Sequence, residues 1–339
     1  MNKRALRADI LLLLTSCIWG FGFVAQRSGM EYVGPFTFNG VRFLLGSLSL
    51  VPLILWQRGK TPGRAGAEAE SGKRNLFRSS LAAGSCLFIA VALQQLGIMF
   101  TTAGNAGFIT GLYVVLTPIF GIFLGKKTGL PTWIGTVFTL TGMYFLSAAG
   151  QTGRMNPGDL ITAVSAIFWA FHVLLIDRLV SHTDPLLLSS GQFAWCGLYS
   201  LAAAFLIEPS LGGWVSALDP DMLSSGLFAW KTLPAILAEW GEGSAGASGI
   251  ANSLIPVLYG GLASVGIAYT LQVVAQRDAP PAHATIILCL EGSFAAIGGV
   301  LLLAEPLGPR TLLAFVLMFS GMLISQWEVI LQGRVKRKG

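Results

Sequence analysis

The sequence predicts an all-α membrane protein of ten transmembrane helices, arranged as two inverted five-helix repeats with both termini cytoplasmic. Three observations support this fold class: the composition, the spacing of apolar segments and the distribution of basic residues. Hydrophobic residues make up 53% of the chain and charged residues only 11%, whereas soluble globular proteins carry about 25% charged residues. So few charges cannot cover a surface in water, and we therefore expect the lipid bilayer to surround most of the chain.

Ten segments are long and apolar enough to span a bilayer, which takes about 20 residues each. The predicted spans are 9–27, 35–56, 79–99, 103–125, 130–149, 158–178, 186–207, 251–274, 281–303 and 310–331. The first segment resembles a signal peptide, because Lys3, Arg4 and Arg7 precede a leucine run. The apolar stretch continues to Val24, however, so we interpret it as the first span rather than a cleaved leader.

The basic residues indicate the orientation of these spans. With a cytoplasmic N-terminus, 17 of the 22 Lys and Arg residues fall in inner segments and 4 in outer segments, while Arg42 lies within a span. Cytoplasmic loops of membrane proteins carry such an excess. The net charge of +6 follows from it, so we expect no nucleic-acid binding. The chain is predicted to be a multi-pass protein of the cell (inner, cytoplasmic) membrane.

Two connecting segments are long. Residues 57–78 are rich in Gly, Ala and charged residues, which predicts a flexible cytoplasmic linker. Residues 208–250 are predicted to lie outside, and they lean acidic. Within them, Asp219 and Pro220 are typical of a helix start, and apolar residues at helical spacing follow. An amphipathic helix on the outer leaflet and a disordered loop tip are both compatible with this pattern.

The four cysteines, Cys17, Cys86, Cys196 and Cys289, lie in apolar segments and show no CxxC spacing. Metal ligation and a disulfide framework are both poorly supported by that arrangement. We interpret the cysteines as packing residues, and we expect no metal and no cofactor.

An internal repeat relates the two halves, 9–149 and 158–331, the second of which contains the long outer loop. A shift of 150 residues superimposes the first two spans on the sixth and seventh without a gap. The identities at this shift are Asp9 with Asp159, Trp19 with Trp169, Phe21 with Phe171, Pro35 with Pro185, Phe43 with Phe193 and Leu48 with Leu198. Because each half has an odd number of spans, the halves enter the membrane from opposite sides, as in many alternating-access carriers.

Later spans align less directly. Asn105 falls on His283 at a shift of 178, whereas Leu116 falls on Leu290 at a shift of 174. A difference of four residues is about one helical turn. We therefore predict that the fourth span is about one turn longer than the ninth. Pro118 predicts a kink in the fourth span.

Several short motifs occur in a characteristic order. They are Ser16–Phe23, Val41–Phe43, Ala103–Phe108, Leu116–Pro118, Leu290–Ala296, Leu303–Pro306 and Gly321–Met322. In this order the chain resembles the EamA-type ten-span branch of the drug/metabolite transporter superfamily over residues 9 to about 328. The resemblance implies a carrier that exports or exchanges amino acids, related metabolites or drug-like solutes. Gly125-Lys126-Lys127 and Gly292 depart from the usual pattern and leave the substrate open.

Charged residues within spans need a physical reason, because an ionised group at the bilayer centre costs about 2.5–3.5 kcal/mol on insertion scales. Arg42 could bind a substrate carboxylate through its planar guanidinium, or it could bond helix ends. Glu291 could bind a coupling proton, or it could pair with Arg42 or His172 and only fix the packing. We place both on a hypothetical substrate pathway.

The other pathway candidates are aromatic or polar side chains in corresponding spans: Trp19, Phe23, Asn105, Tyr113, Trp169, His172, Tyr269 and Gln272. Each could instead serve only packing or helix association. His283, beside Pro280 and Pro281, is interpreted as a helix cap.

Two other classes of protein compete with a carrier. An intramembrane enzyme would need a nucleophile–base pair or a metal motif, and neither HExxH nor GxGD occurs, so we predict no enzymatic activity. A channel-like permease would need a polar re-entrant loop or a symmetric pore. The expected partners are a small-molecule substrate, lipid and a proton as coupling ion, in a monomer or homodimer.

Overall fold

A computed structural model describes residues 3–30, 32–60, 67–100, 103–147, 157–210, 253–303 and 308–335. Its secondary structure over these ranges is helical, with no strand. The first half contains α1 (Lys3–Gly29), α2 (Pro35–Ser49), α3 (Val51–Lys60), α4 (Ala67–Phe100), α5 (Ala103–Thr110), α6 (Tyr113–Phe123) and α7 (Leu130–Ser147). The second half contains α8 (Pro157–Val180), α9 (Pro185–Leu206), α10 (Leu254–Leu258), a π-helix (Tyr259–Tyr269), α11 (Thr270–Ala275), α12 (Pro281–Leu288), α13 (Glu291–Leu303) and α14 (Pro309–Val335).

Apolar helices dominate this architecture. Among the described residues, five helical segments are long and apolar enough to cross a membrane: Lys3–Gln26, Pro35–Gln57, Arg74–Phe100, Pro157–Val180 and Leu254–Ala275. Tyr113–Phe123 and Leu312–Ser325 are shorter apolar helices. The chain is therefore an all-helical membrane protein, as predicted, whereas the count of ten spans and the position of the termini stay predictions.

The fourth and ninth predicted spans are each interrupted. α5 and α12 have eight residues each, and α6 and α13 follow them after two-residue breaks at 111–112 and 289–290. Both pairs start at a constant shift of 178 residues. The predicted extra turn in the fourth span is therefore wrong, since α13 is longer than α6 by two residues. The break also precedes Pro118, which lies inside α6.

The two breaks contact each other. The Cys289 thiol donates a hydrogen bond to the carbonyl oxygen of Gly111, at 3.4 Å. Cys289 and Gly111 are also equivalent at the shift of 178, so the two interrupted helices meet where their sequences correspond. Cys289 is thus a packing residue with a specific partner.

The eighth predicted span contains the π-helix instead of a uniform α-helix. Its wider turn lets two of its carbonyl oxygens accept bonds from α1. The Thr15 hydroxyl donates to Ala268 at 3.1 Å, and the Trp19 indole donates to Ser264 at 3.2 Å. π-Helical turns are rare and often occur at functional sites.

Helix packing follows one pattern in both halves. α4 packs against α8 and α9, and the π-helix packs against α1 and α2. α1 contacts α13, α8 contacts α5, and α7 pairs with α14. At Gly20 the approach of α1 to α13 is so close that a Cβ would lie 2.7 Å from the Glu291 carbonyl oxygen. The bundle core lies between α1, α2, α4, α8, α9 and the broken helices.

The long segments differ from their predictions. α3 runs to Lys60 and α4 begins at Ala67, so most of the predicted flexible linker 57–78 is helical. The predicted amphipathic helix after Asp219 lies outside the described residues. The start of the outer segment is ordered, because Glu208 is fully buried.

Glu208 caps the N-terminus of α2. Its carboxylate accepts bonds from the backbone N–H groups of Phe36 and Thr37, both at 2.8 Å, and from the Thr37 hydroxyl at 2.7 Å. A Cβ at Gly34 would overlap this carboxylate. A negative charge at a helix N-terminus is stabilised by the unpaired N–H groups and the helix dipole. Glu208 therefore ties the end of α9 to the start of α2.

We predict that Glu208→Gln lowers the free energy of unfolding by about 1.5–3 kcal/mol, the usual range for hydrogen bonds to a charged group. Thermal unfolding of the purified protein in detergent would measure this loss. Asp278→Asn makes the same chemical change at an exposed site and serves as the control. Equal melting temperatures for the two variants would contradict the capping role.

Candidate functional site

A central cavity lies where α1, α2, α4, α8, the π-helix and both broken helices converge. It contains about 470 Å³ of space not filled by protein atoms, within the usual size range of small-molecule sites. Eight predicted pathway residues line it: Trp19, Phe23, Arg42, Tyr113, Trp169, Tyr269, Gln272 and Glu291. The breaks explain part of this convergence, because Tyr113 and Glu291 are the first residues of α6 and α13.

Arg42 supplies a positive charge to the cavity. It is 2% exposed, and its Nε donates a hydrogen bond to the Asn39 side-chain oxygen at 2.9 Å. Its guanidinium carbon lies 5.0 Å from the centre of the Phe43 ring and 5.5 Å from that of Phe38, within cation–π range. These contacts fix the side chain, while no described carboxylate lies within ion-pairing distance.

Glu291 supplies an acidic group to the same cavity. It is 6% exposed, and its position at the N-terminus of α13 suits a carboxylate. Within the described side chains its carboxylate forms no ion pair, so the alternative that it only neutralises Arg42 or His172 is not realised. The cavity thus presents one cation and one acid that do not pair with each other.

Aromatic rings form one side of the cavity, with Tyr269 at their centre. The Tyr269 ring lies 4.5 Å from Trp19 and 6.1 Å from Trp169, measured between ring centres. Phe43 and Phe193 lie 5.8 and 5.9 Å from it. Both pairs, Trp19 with Trp169 and Phe43 with Phe193, are equivalent at the shift of 150 residues. The aromatic groups predicted from the repeat therefore meet in one cluster.

Three lining side chains have polar atoms without a hydrogen-bond partner in the protein: Gln26 Oε1, Trp169 Nε1 and Gln272 Oε1. All three residues are at least nine-tenths buried. A buried polar atom without a partner is costly, so such atoms in a cavity wall favour a polar ligand or ordered water as their partner.

Some predicted site residues lie elsewhere. His172 is fully buried beside Trp169 and bonds Gln192 at 2.9 Å, but it does not line the cavity. Asn105 lies in α5, and its side chain is outside the described part of the structure. His283 does not cap a helix, since Pro280 precedes α12 without any side-chain cap.

The sequence gave no specific signal for two further lining residues, Thr110 and Ser264. Small hydroxyl residues are common in membrane helices and usually bond their own backbone. Thr110 instead accepts a bond from the Gln94 side chain at 3.1 Å. Ser264 belongs to the π-helix, whose irregular turn could not be read from hydropathy.

Apolar helices around a central cavity with an unpaired cation and acid define a multi-pass membrane protein with an internal solute site. The profile of the EamA-like transporter family matches residues 6–148 and 156–326. The chain belongs to the EamA-like transporter family, within the drug/metabolite transporter superfamily, and it is a membrane transporter.

Individual relatives agree with this assignment. An uncharacterized transporter of Archaeoglobus fulgidus is 26% identical over 326 residues, covering 95% of this chain and 87% of that protein. The uncharacterized inner membrane transporter YedA of Escherichia coli is 26% identical over 210 residues, covering 59% of this chain and 64% of YedA. A crystal structure aligns with TM-score 0.67 at 17% identity over 94% of this chain and 96% of its own, which shows a shared fold alone.

We predict that a cysteine at Ser264 reacts with a small water-soluble maleimide in intact membranes, because this side chain lines the cavity. The background would be Cys17→Ser with Cys86→Ser, since these two native thiols are partly exposed. Ser200→Cys, fully buried and away from the cavity, is the matched control. Equal labelling of Ser264→Cys and Ser200→Cys would show that the cavity is closed to solutes.

Proposed function

We propose that the protein is a secondary transporter that exports small metabolites, such as amino acids and related solutes, across the cytoplasmic membrane by alternating access. The observation that carries this proposal is the central cavity, where Arg42 and Glu291 are buried without forming an ion pair. Uncompensated buried charges are costly. A site that tolerates both is suited to a ligand that supplies the missing partners. Outward transport is what the family resemblance implies.

The proposed topology has ten spans in two inverted repeats, 9–149 and 158–331, with both termini in the cytoplasm. Matching helix breaks at a shift of 178 residues support it, as does the corresponding packing of α4 and of the π-helix against neighbouring helices. Discontinuous helices at equivalent positions of two repeats are typical of midplane binding sites in secondary transporters. The cavity then lies between the halves, where rocking would expose it to either side.

We further propose a zwitterionic or dipolar solute with an apolar body. A carboxylate would bind the Arg42 guanidinium, and a cationic or donor group would face Glu291. The Trp19 and Trp169 rings would contact the apolar part, and the unpaired Gln272 oxygen would accept a further bond. This division of the cavity wall favours amphipathic metabolites over inorganic ions.

Glu291 is also the proposed proton-coupling residue. Among the lining residues it is the carboxyl group, and protonation would remove its charge from a site shielded from bulk water. Proton binding and cation binding at Glu291 would then compete. Such competition couples an inward proton movement to outward movement of the substrate.

We predict that Arg42→Ala weakens the apparent affinity for carboxylate substrates by about 10- to 100-fold, the cost of one charge-assisted hydrogen-bond pair. Arg42→Lys keeps the charge but lacks the planar fork, so it should recover only part of the affinity. A screen of proteoliposomes loaded with metabolite mixtures would identify the substrate and measure the change. Arg277→Ala, at an exposed site, controls for charge loss. Full transport by folded Arg42→Ala would exclude the substrate role.

We predict that Glu291→Gln abolishes the dependence of net transport on a pH gradient, because an amide keeps the shape but cannot take up the proton. Substrate flux would be compared in proteoliposomes with and without an imposed gradient, with Asp278→Asn as the matched carboxyl-to-amide control. If Glu291→Gln responds to the gradient as the natural protein does, the coupling role is excluded.

A further inference from the structure

A second cavity, of about 730 Å³, lies between α6, α8 and α12. Under the proposed topology it faces the cytoplasm. Its wall includes Thr117, Lys126, Lys127, Asp177 and His283. None of these residues lines the central cavity, so the second cavity is a separate feature of the opposite end of the bundle.

His283 connects three helices beside this cavity. It is 2% exposed and lies on α12. Its Nε2 is 2.8 Å from the Asp9 carboxylate of α1, and its Nδ1 is 3.0 Å from the Ser325 hydroxyl of α14. The imidazole therefore joins the first helix of one half to two helices of the other.

The hydrogen-bond partners determine how many protons this group of residues holds. The Ser325 hydroxyl donates its only hydrogen to the Met322 carbonyl oxygen, at 2.8 Å, so it must accept a hydrogen bond from His283 Nδ1. An ionised carboxylate only accepts hydrogen bonds, so Nε2 must also donate. Both ring nitrogens then carry hydrogen, which makes the contact an imidazolium–aspartate ion pair.

The neighbouring charges agree with a proton held at this position. Lys126 and Lys127 approach from the segment after α6, and Asp177 approaches from α8. Lys126 forms an ion pair with Asp177, so the two neutralise each other. Thr132 of α7 also lines the cavity, and it is uncharged. Asp9 is thus the carboxylate that directly balances a charged His283.

The proposed repeat makes this pair unequal between the two ends of the molecule. Asp9 corresponds to Asp159 and His283 corresponds to Asn105, and α5 contacts α8 as α12 contacts α1. An amide does not bind a proton in the physiological range, whereas an imidazole does. The device can therefore respond to protons at one end alone.

We infer that Asp9 and His283 form a proton-binding site that, when occupied, locks α1 to α12 and α14 beside the second cavity. Loss of the proton leaves Nε2 without a hydrogen to donate to Asp9, and the helices are then free to separate. This site is distinct from Glu291 in the central cavity. Its role as a cytoplasmic lock rests on the proposed function, whereas its protonation does not.

The protonation is tested by nitrogen NMR of the full-length protein in nanodiscs with ¹⁵N-labelled histidine. The chain has three histidines, and His283→Gln and His182→Gln assign their signals. At neutral pH we expect hydrogen on both ring nitrogens of His283 in the natural protein. In Asp9→Asn we expect it on one, because the new amide can donate to Nε2. A neutral His283 ring in the natural protein would overturn the proposal without any need for a variant to fold.

The lock is tested by cysteine labelling of Thr117→Cys in the background without Cys17 and Cys86. Adding Asp9→Asn should speed labelling by about tenfold or more, since removal of one partner strongly destabilises a buried ion pair. Unchanged labelling would overturn the lock. Labelling of Ser264→Cys in the same background reports separately on the central cavity. A matching decrease there tests alternating access, so a failure of the lock and a failure of the proposed function give different results.

Discussion

Every backbone polar group inside a bilayer needs a partner within the protein, and the two interrupted helices meet this constraint by placing their breaks against each other. The Cys289 thiol donates to the Gly111 carbonyl across that contact. Each break also starts a new helix within the bundle, so that Tyr113 and Glu291 occupy first-turn positions facing the central cavity. The site follows from the way the backbone is satisfied.

The same constraint explains the contact between α1 and the π-helix. Widening the helix leaves carbonyl oxygens that can accept further bonds, and Thr15 and Trp19 supply the donors. Trp19 is thereby held against Tyr269, the last residue of the π-helix. The aromatic wall is therefore positioned by hydrogen bonds at its rim as well as by packing. A ring fixed in this way is a suitable surface for the apolar part of a solute.

Hydropathy and charge could predict the all-helical membrane class, and the repeat could predict that Trp19, Trp169, Arg42 and Glu291 share a site, because these properties depend on residue type and spacing. The broken helices could not be predicted in this way. Residues 103–125 and 281–303 are apolar throughout their central parts, and a sliding average cannot distinguish a continuous span from two half-helices. His283 was misassigned for a related reason, since its partners lie 274 and 42 residues away in sequence.

The proposed repeat also separates scaffold from site. Where equivalent residues are identical, as in Trp19 with Trp169 and Phe43 with Phe193, they pack around Tyr269 and keep the halves alike. Where they differ, one half carries the charge. Arg42 corresponds to Gln192, which bonds His172 away from the cavity. Glu291 corresponds to Tyr113. A strictly symmetric cavity would hold two like charges, which repel in a medium of low dielectric constant. Divergence between the halves removes that repulsion and gives the cavity two chemically different ends, as a transporter needs in order to orient an asymmetric solute.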